Sequence, residues 1–181
     1  MKTEIEESDD NPLAMRRGDA SQFVEFEVDG QRYAFRIEKI REIVILKDIT
    51  PTPQVAAFVD GVSNLRGAII PIINLRALLG MPRRSVDDQT RTIVVNVGSR
   101  TIGCTVDTVT QVIRIADDKI QPAPESITSD DATYIAGFAK VENRLVIVLD
   151  VDQLLNIDRL NRGSPNAPAT PPYTIASTTQ D

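Results

Sequence analysis

Apolar and polar residues alternate along two stretches of the chain that repeat one another. Val24-Glu25-Phe26-Glu27-Val28, the pair Asp29-Gly30, and Tyr33-Ala34-Phe35-Arg36-Ile37 form two period-two runs about a two-residue turn, which predicts a β-hairpin. The same order returns as Ile93-Val94-Val95-Asn96-Val97, Gly98-Ser99 and Ile102-Gly103-Cys104-Thr105-Val106, so that Val28 answers Val97. Ile37, Ile40 and Ile43 then fall on Val106, Val109 and Val112. A second pair of blocks runs from Gly61 to Leu79 and from Gly137 to Leu155. In it Ile69-Ile70-Pro71-Ile72-Ile73-Asn74 answers Leu145-Val146-Ile147-Val148-Leu149-Asp150. The pattern predicts two similar β-rich units in tandem, over 21–80 and 90–157, that share strands or pack tightly as one body.

Helices are predicted to be short. Leu75, Leu78 and Leu79 follow a cap at Asn74 and stop at Gly80, while Val151, Leu154 and Leu155 follow a cap at Asp150. Glu38 to Ile43 reads as one further helical turn. The link from Met81 to Gln89, with Pro82, Arg83, Arg84, Asp87 and Asp88, suits an exposed loop. Residues 1–20, with Glu4, Glu6, Glu7, Asp9 and Asp10, and residues 158–181, with Gly163, Pro165, Pro168, Pro171 and Pro172, hold too few apolar groups to join a core; both read as disordered tails.

What the repeats share is what the fold needs, and what they do not share is free for function. Gly67 answers Asn143, and both residue types tolerate the positive φ of a hairpin turn. One position earlier, Arg66 answers Glu142, so the arginine is not a requirement of the repeated fold.

Composition narrows the function. A chain of 181 residues with 41% hydrophobic content supports a real core, but aromatics are 4% and Trp is absent, so the core is aliphatic and offers no stacking platform for single-stranded nucleic acid. The net charge of −6 at pH 7 comes without a basic patch, which argues against DNA and RNA as partners. No signal-like or membrane-spanning run is apparent, and one Cys precludes an internal disulfide; a cytoplasmic protein is expected.

Catalytic chemistry is hard to assemble from this inventory. Without His there is no Ser-His or Cys-His pair and no imidazole ligand or base. Cys104 matches Phe35 at an inward position and reads as a buried, inert thiol. The pairs Asp87-Asp88, Asp117-Asp118 and Asp130-Asp131 lie in polar, loop-like contexts that favour capping and solvation. Asp150-Val151-Asp152 opens like a calcium loop, but Leu155 stands where the tight turn needs Gly. No glycine-rich phosphate loop is present. No catalytic residue, metal or cofactor is therefore expected.

The run Gly61-Val62-Ser63-Asn64-Leu65-Arg66-Gly67-Ala68-Ile69-Ile70-Pro71-Ile72-Ile73-Asn74-Leu75-Arg76, preceded by Lys39-Ile40-Arg41-Glu42-Ile43, resembles the CheW family of bacterial chemotaxis coupling proteins. Gly103 to Val112 and Ile120-Gln121-Pro122-Ala123-Pro124 share the likeness, which covers residues 21–157. The resemblance implies an all-β fold with short helices, built as two five-stranded, SH3-like β-barrels in one body. It implies a non-enzymatic adaptor that binds the cytoplasmic tip of methyl-accepting chemoreceptors and the regulatory domain of the CheA histidine kinase, and is recruited to membrane-attached arrays without inserting into the membrane. A same-family adaptor for surface motility or second-messenger signalling is the alternative. By motif, the receptor surface involves Ile40, Glu42, Asn64, Arg66, Val109 and Val112, and the kinase surface Ile43, Val44, Gln121 and Ser126. Gln121 and Ser126 depart from the arginine and aromatic residue that some relatives carry there, and Asn74 replaces a common acidic residue with another helix-capping one.

Overall fold

The hairpin predicted at Asp29-Gly30 forms as strands β1 (Ala20–Val28) and β2 (Gln31–Arg36), with φ of 54° and 78° at its two turn residues. The computed structural model describes residues 20–53, 55–127, 133–156 and 160. Its further strands are β3 (Ile40–Val44), β4 (Val59–Leu65), β5 (Ala68–Asn74), β6 (Arg91–Val97), β7 (Arg100–Val106), β8 (Thr108–Ala116), β9 (Ile135–Val141) and β10 (Arg144–Leu149). Two one-turn helices, α1 (Leu75–Leu78) and α2 (Val151–Leu154), start where expected: the Asn74 side chain accepts from the Ala77 amide, and that of Asp150 from the Gln153 amide, at 3.1 Å each.

The sequence repeats are not the sheets. One five-stranded sheet runs β8-β1-β2-β10-β9 and the other β3-β6-β7-β5-β4. Each repeat thus contributes its first hairpin to one sheet and three later strands to the other. The crossovers are short: a 3-10 turn at Ile37–Lys39 leads from β2 into β3, and Asp107 separates β7 from β8. Parallel pairs join the two contributions, β2 to β10 through Ala34 and Val148, and β5 to β7 through Ile73 and Cys104. The helical turn expected over Glu38 to Ile43 is cut to those three 3-10 residues. From Ile40 on, the β-branched residues pair with β6 instead, Ile40 with Val95 and Ile43 with Ile93.

The sheets are not closed barrels of continuous ladders. Where closure is expected, the chain leaving β8 makes one bridge, Gln121 to Phe138 on β9, and the chain leaving β3 makes one, Thr50 to Val62 on β4. Pro122 and Pro51 follow the bridging residues and have no amide hydrogen with which to extend a ladder. Gly61 and Gly137 make room for these crossings: a Cβ on Gly137 would stand 2.6 Å from the Gln121 carbonyl oxygen, and one on Gly61 would overlap the Thr50 carbonyl oxygen.

The main core lies where elements of both sheets meet: Phe26, Phe35, Phe58, Ile93, Val95, Ile102, Leu149 and Leu154 are all buried in it. Phe26 and Phe35 pack with ring centroids 4.7 Å apart. A smaller cluster around Phe23, Ile113 and Val146 covers the opposite face of the first sheet, and Ile70, Ile72 and Val94 do so for the second. Cys104 is wholly buried and desolvation pushes its thiol up to about 12, so it is the inert core residue expected.

Most of both predicted tails, and the pair Asp130-Asp131, lie outside the described residues. Within the tail ranges, Ala20 opens β1 opposite Ala116, and Leu160 packs against the main core with its amide bonded to the Asn156 carbonyl, 2.9 Å.

Candidate functional site

Strand register decides which candidate residues can act together. On β3, Ile40 faces Val95 and Glu42 faces Val94, so Arg41 is an extra residue with no place in the ladder. On β8, Val109 faces Phe26 and Gln111 faces Glu25, so Thr110 is the extra residue. These are β-bulges at equivalent points of the two repeats, and each resets the alternation of its strand by one residue. Residues three apart in a regular strand would point to opposite faces. Here Ile40 and Ile43 share a face because their partners Val95 and Ile93 do, and Val109 and Val112 share a face because Phe26 and Val24 do. Ile40 and Val109 are half-buried against the main core, while Ile43 and Val112 stand 39% and 55% exposed. Each repeat thereby presents one half-buried and one open aliphatic side chain on the core-facing side of an edge strand.

Glu42 and Val44 take the other face of β3. Val44 packs on the Ile70, Ile72 and Val94 cluster. Glu42 receives Arg66 from the β4–β5 turn through two hydrogen bonds, Nη2 to Oε1 at 2.7 Å and Nε to Oε2 at 3.3 Å. This fork of donors holds the Glu42 carboxyl below its ordinary range and raises Arg66 above its own. The Arg66 side chain remains 70% exposed, so it is accessible to a partner while paired with Glu42. Asn64 is committed to the turn: its Oδ1 accepts from the Gly67 amide at 2.9 Å. Arg66 itself sits at φ 54° and Gly67 at 90°, and Glu142 and Asn143 repeat this at 51° and 64°. Both turns have the sign pattern of type I′ hairpins.

The candidate residues therefore fall into separate groups. Asn64, Arg66, Glu42 and Val44 belong to the turn and outer face of the second sheet; Ile40 and Ile43 lie on its core-facing side; Val109 and Val112 hold the matching place on the first sheet. Gln121 stands apart, its backbone bonded both ways to Phe138 at 2.8 and 2.7 Å, and Ser126 is exposed in the 3-10 turn Glu125–Ile127. The sequence reading overlooked Gln111. It is the repeat counterpart of Glu42, and its Nε2 donates to Glu142, the counterpart of Arg66, at 3.3 Å. The repeat offset that relates Ile40 to Val109 would have found it. Arg76 was also overlooked: it is buried and bonded to Asp107, Asp29 and the Pro82 carbonyl at 2.5, 2.8 and 2.7 Å. Among the described residues no cluster of three or more His, Cys, Asp or Glu side chains is arranged to hold a metal, and no helix is long and apolar enough to cross a membrane.

The family model of the CheW-like domain matches residues 22–159. The chemotaxis protein CheW of Klebsiella aerogenes is 33% identical to the chain over 139 residues, covering 77% of this chain and 84% of the relative. That of Thermotoga maritima is 36% identical over 132 residues, covering 72% and 84%. Among solved structures, the scaffolding protein TtCheW from Thermoanaerobacter tengcongensis superimposes with a TM-score of 0.70 at 30% identity, over 76% of this chain and 94% of that one.

Proposed function

The chain belongs to the CheW family of chemotaxis proteins, and on that premise we propose that it is a non-catalytic adaptor that docks chemoreceptor cytoplasmic tips on one surface and the regulatory domain of a CheA-type histidine kinase on another. One observation carries the reading. Two equivalent bulges give each sheet an edge strand with an aliphatic pair on its core-facing side, and the edge strand of the second sheet carries on its other face a charge pair, Glu42 with Arg66, that the sister strand lacks. Apolar anchors with a charged rim suit a helical hairpin, whose surface offers aliphatic side chains at helical spacing and polar groups between them.

In this reading Ile40, Val109 and Val112 supply apolar contact to the receptor tip, and Arg66 with Glu42 supplies the rim, while Asn64 shapes the turn. Ile43 and Val44 with Gln121 and Ser126 serve the kinase. The protein works at the cytoplasmic side of membrane-attached arrays.

The test is co-purification of the tagged chain from its native cell with identification of the bound kinase and receptors. Recovery of chemoreceptors with a CheA-type kinase supports the reading. Recovery of a kinase and receptors of surface motility or second-messenger signalling would redirect it to a sister pathway, and recovery of neither would overturn it.

A further inference from the structure

The bulge on β8 is held by a buried acid. Glu25, 1% exposed, sits on β1 directly opposite Gln111. Its Oε1 accepts from Thr110 Oγ1 at 2.6 Å, Gln111 Nε2 at 3.2 Å and Arg32 Nη1 at 2.5 Å. The Thr110 hydroxyl is also 3.0 Å from the Glu25 carbonyl oxygen. The residue that the ladder skips is therefore tied down by its side chain to the strand it cannot pair with. Gln111 Nε2 extends the network to Glu142, so that β1, β2, β8 and the β9–β10 turn are joined through the Glu25 carboxylate and this amide.

Nothing in the repeated fold demands this acid. Its counterpart in the second repeat is Val94, which fills an apolar cluster with Ile70 and Ile72. The counterpart of Thr110 is Arg41, an exposed side chain. The two bulges are equivalent in backbone, but only that on β8 carries this side-chain anchor.

We propose that Glu25 is the positioning residue of the β8 edge: by fastening the Thr110 bulge it fixes the register at which Val109 and Val112 share one face. β8, like β3, is an edge strand held by one neighbour, and a slip of one residue would turn Val112 to the opposite side. The proposal rests on the functional reading above only for the consequence in binding; the register itself is a property of the isolated chain.

The test uses three substitutions in the full chain. Glu25→Val reproduces the apolar residue of the sister repeat, Thr110→Val removes the hydroxyl at nearly constant shape, and Glu25→Gln keeps an acceptor for Thr110 while removing the charge. Amide hydrogen exchange over residues 108–113 reads the strand, titration with a soluble chemoreceptor tip fragment reads the face, and thermal unfolding controls for global damage. The expected result is exchange at least about tenfold faster and tip binding at least about fivefold weaker for both valine variants, with Glu25→Gln close to the native protein. The double valine variant should be no worse than the worse single one, since both cut the same contact. Unchanged exchange in both valine variants would overturn the proposal, as would acceleration spread equally over β4 and β5. If Glu25→Val fails to fold, Thr110→Val decides. If the native chain does not bind the tip at all, the functional reading fails, and the exchange measurement still decides the role of Glu25.

Discussion

Arg66 and Glu42 are joined by a two-pronged ion pair across the end of the second sheet, and their repeat counterparts Glu142 and Gln111 meet at the equivalent place on the first through one hydrogen bond, Gln111 Nε2 to Glu142 Oε2 at 3.3 Å. The positions are common to both halves while the charge is not. A cation with its carboxylate in one repeat becomes a carboxylate with a neutral amide in the other, so the rim of the first site can meet an acidic partner group and that of the second cannot.

Exchanging the charges tests this. Arg66→Glu should weaken receptor-tip binding by at least about tenfold, the scale of a lost charge-assisted hydrogen bond, with little change in thermal unfolding or kinase binding. Glu142→Arg should do much less. Both substitutions sit at the same strained turn position, φ 54° and 51°, so they control for each other. Equal losses at the two sites, or a large drop in melting temperature for Arg66→Glu alone, would make the arginine a structural residue.

The same pair fixes a pH dependence. Arg66 lowers the Glu42 carboxyl below its ordinary 4.5, so whatever the pair contributes is fully present above that value and is lost as pH falls through the lower folded-state one. Titration of the Glu42 carboxyl carbon by NMR should give a midpoint below 4.5 in the native chain, returning toward it in Arg66→Ala. A midpoint unmoved by the substitution would show that the fork is not maintained in solution.

Much of this was legible in the sequence because it depends on local pattern. The period-two runs, the turns at Asp29-Gly30 and Arg66-Gly67 and the caps at Asn74 and Asp150 are set by residues within a few positions of one another. Strand sharing was one of the two arrangements expected of the repeats, but which strands are exchanged was not legible, because it turns on the parallel pairing of β2 with β10 and β5 with β7, partners far apart in the chain. The bulges were hidden for a related reason: Ile40-Arg41-Glu42-Ile43 reads as one turn of helix by spacing, and only pairing against β6 shows that Arg41 is the residue left out. The grouping of site residues followed suit. Ile40 and Glu42 look like neighbours in sequence yet occupy opposite faces of β3.

Glycine substitution should separate turns from crossings. Gly30, at φ 78° with nothing within 4 Å of a built Cβ, should lose about 1 kcal/mol on replacement by alanine, the cost of a left-handed residue alone. Gly61→Ala adds a collision with the Thr50 backbone and Gly137→Ala one with Gln121, so each should cost about 2 kcal/mol or more. Denaturant midpoints for the three variants measure this directly. Equal losses at Gly30 and Gly61 would mean that the Thr50 crossing yields freely.

Arg76 should be the most damaging single polar residue to remove. It extends from α1, beside the second sheet, and binds Asp29 in the β1–β2 turn of the first sheet and Asp107 at the crossover where β7 hands over to β8, with Nε closing on the Pro82 carbonyl. Its side chain is 10% exposed and that of Asp107 12%, so deleting the guanidinium leaves a carboxylate largely out of water without its close cation; Arg84 lies 3.9 Å away and offsets little of that. Loss of one partner from a buried pair costs about 3–5 kcal/mol, and Arg76→Ala should fall in that range in denaturant unfolding. Arg76→Lys should recover only part, because one ammonium cannot span two carboxylates and a carbonyl at the angles a planar fork reaches. Asp29→Asn, at a side chain 51% exposed, should cost far less than Asp107→Asn. If Arg76→Lys were as stable as the native chain, charge alone would account for the clamp, and the geometry joining the two sheets at this point would not matter.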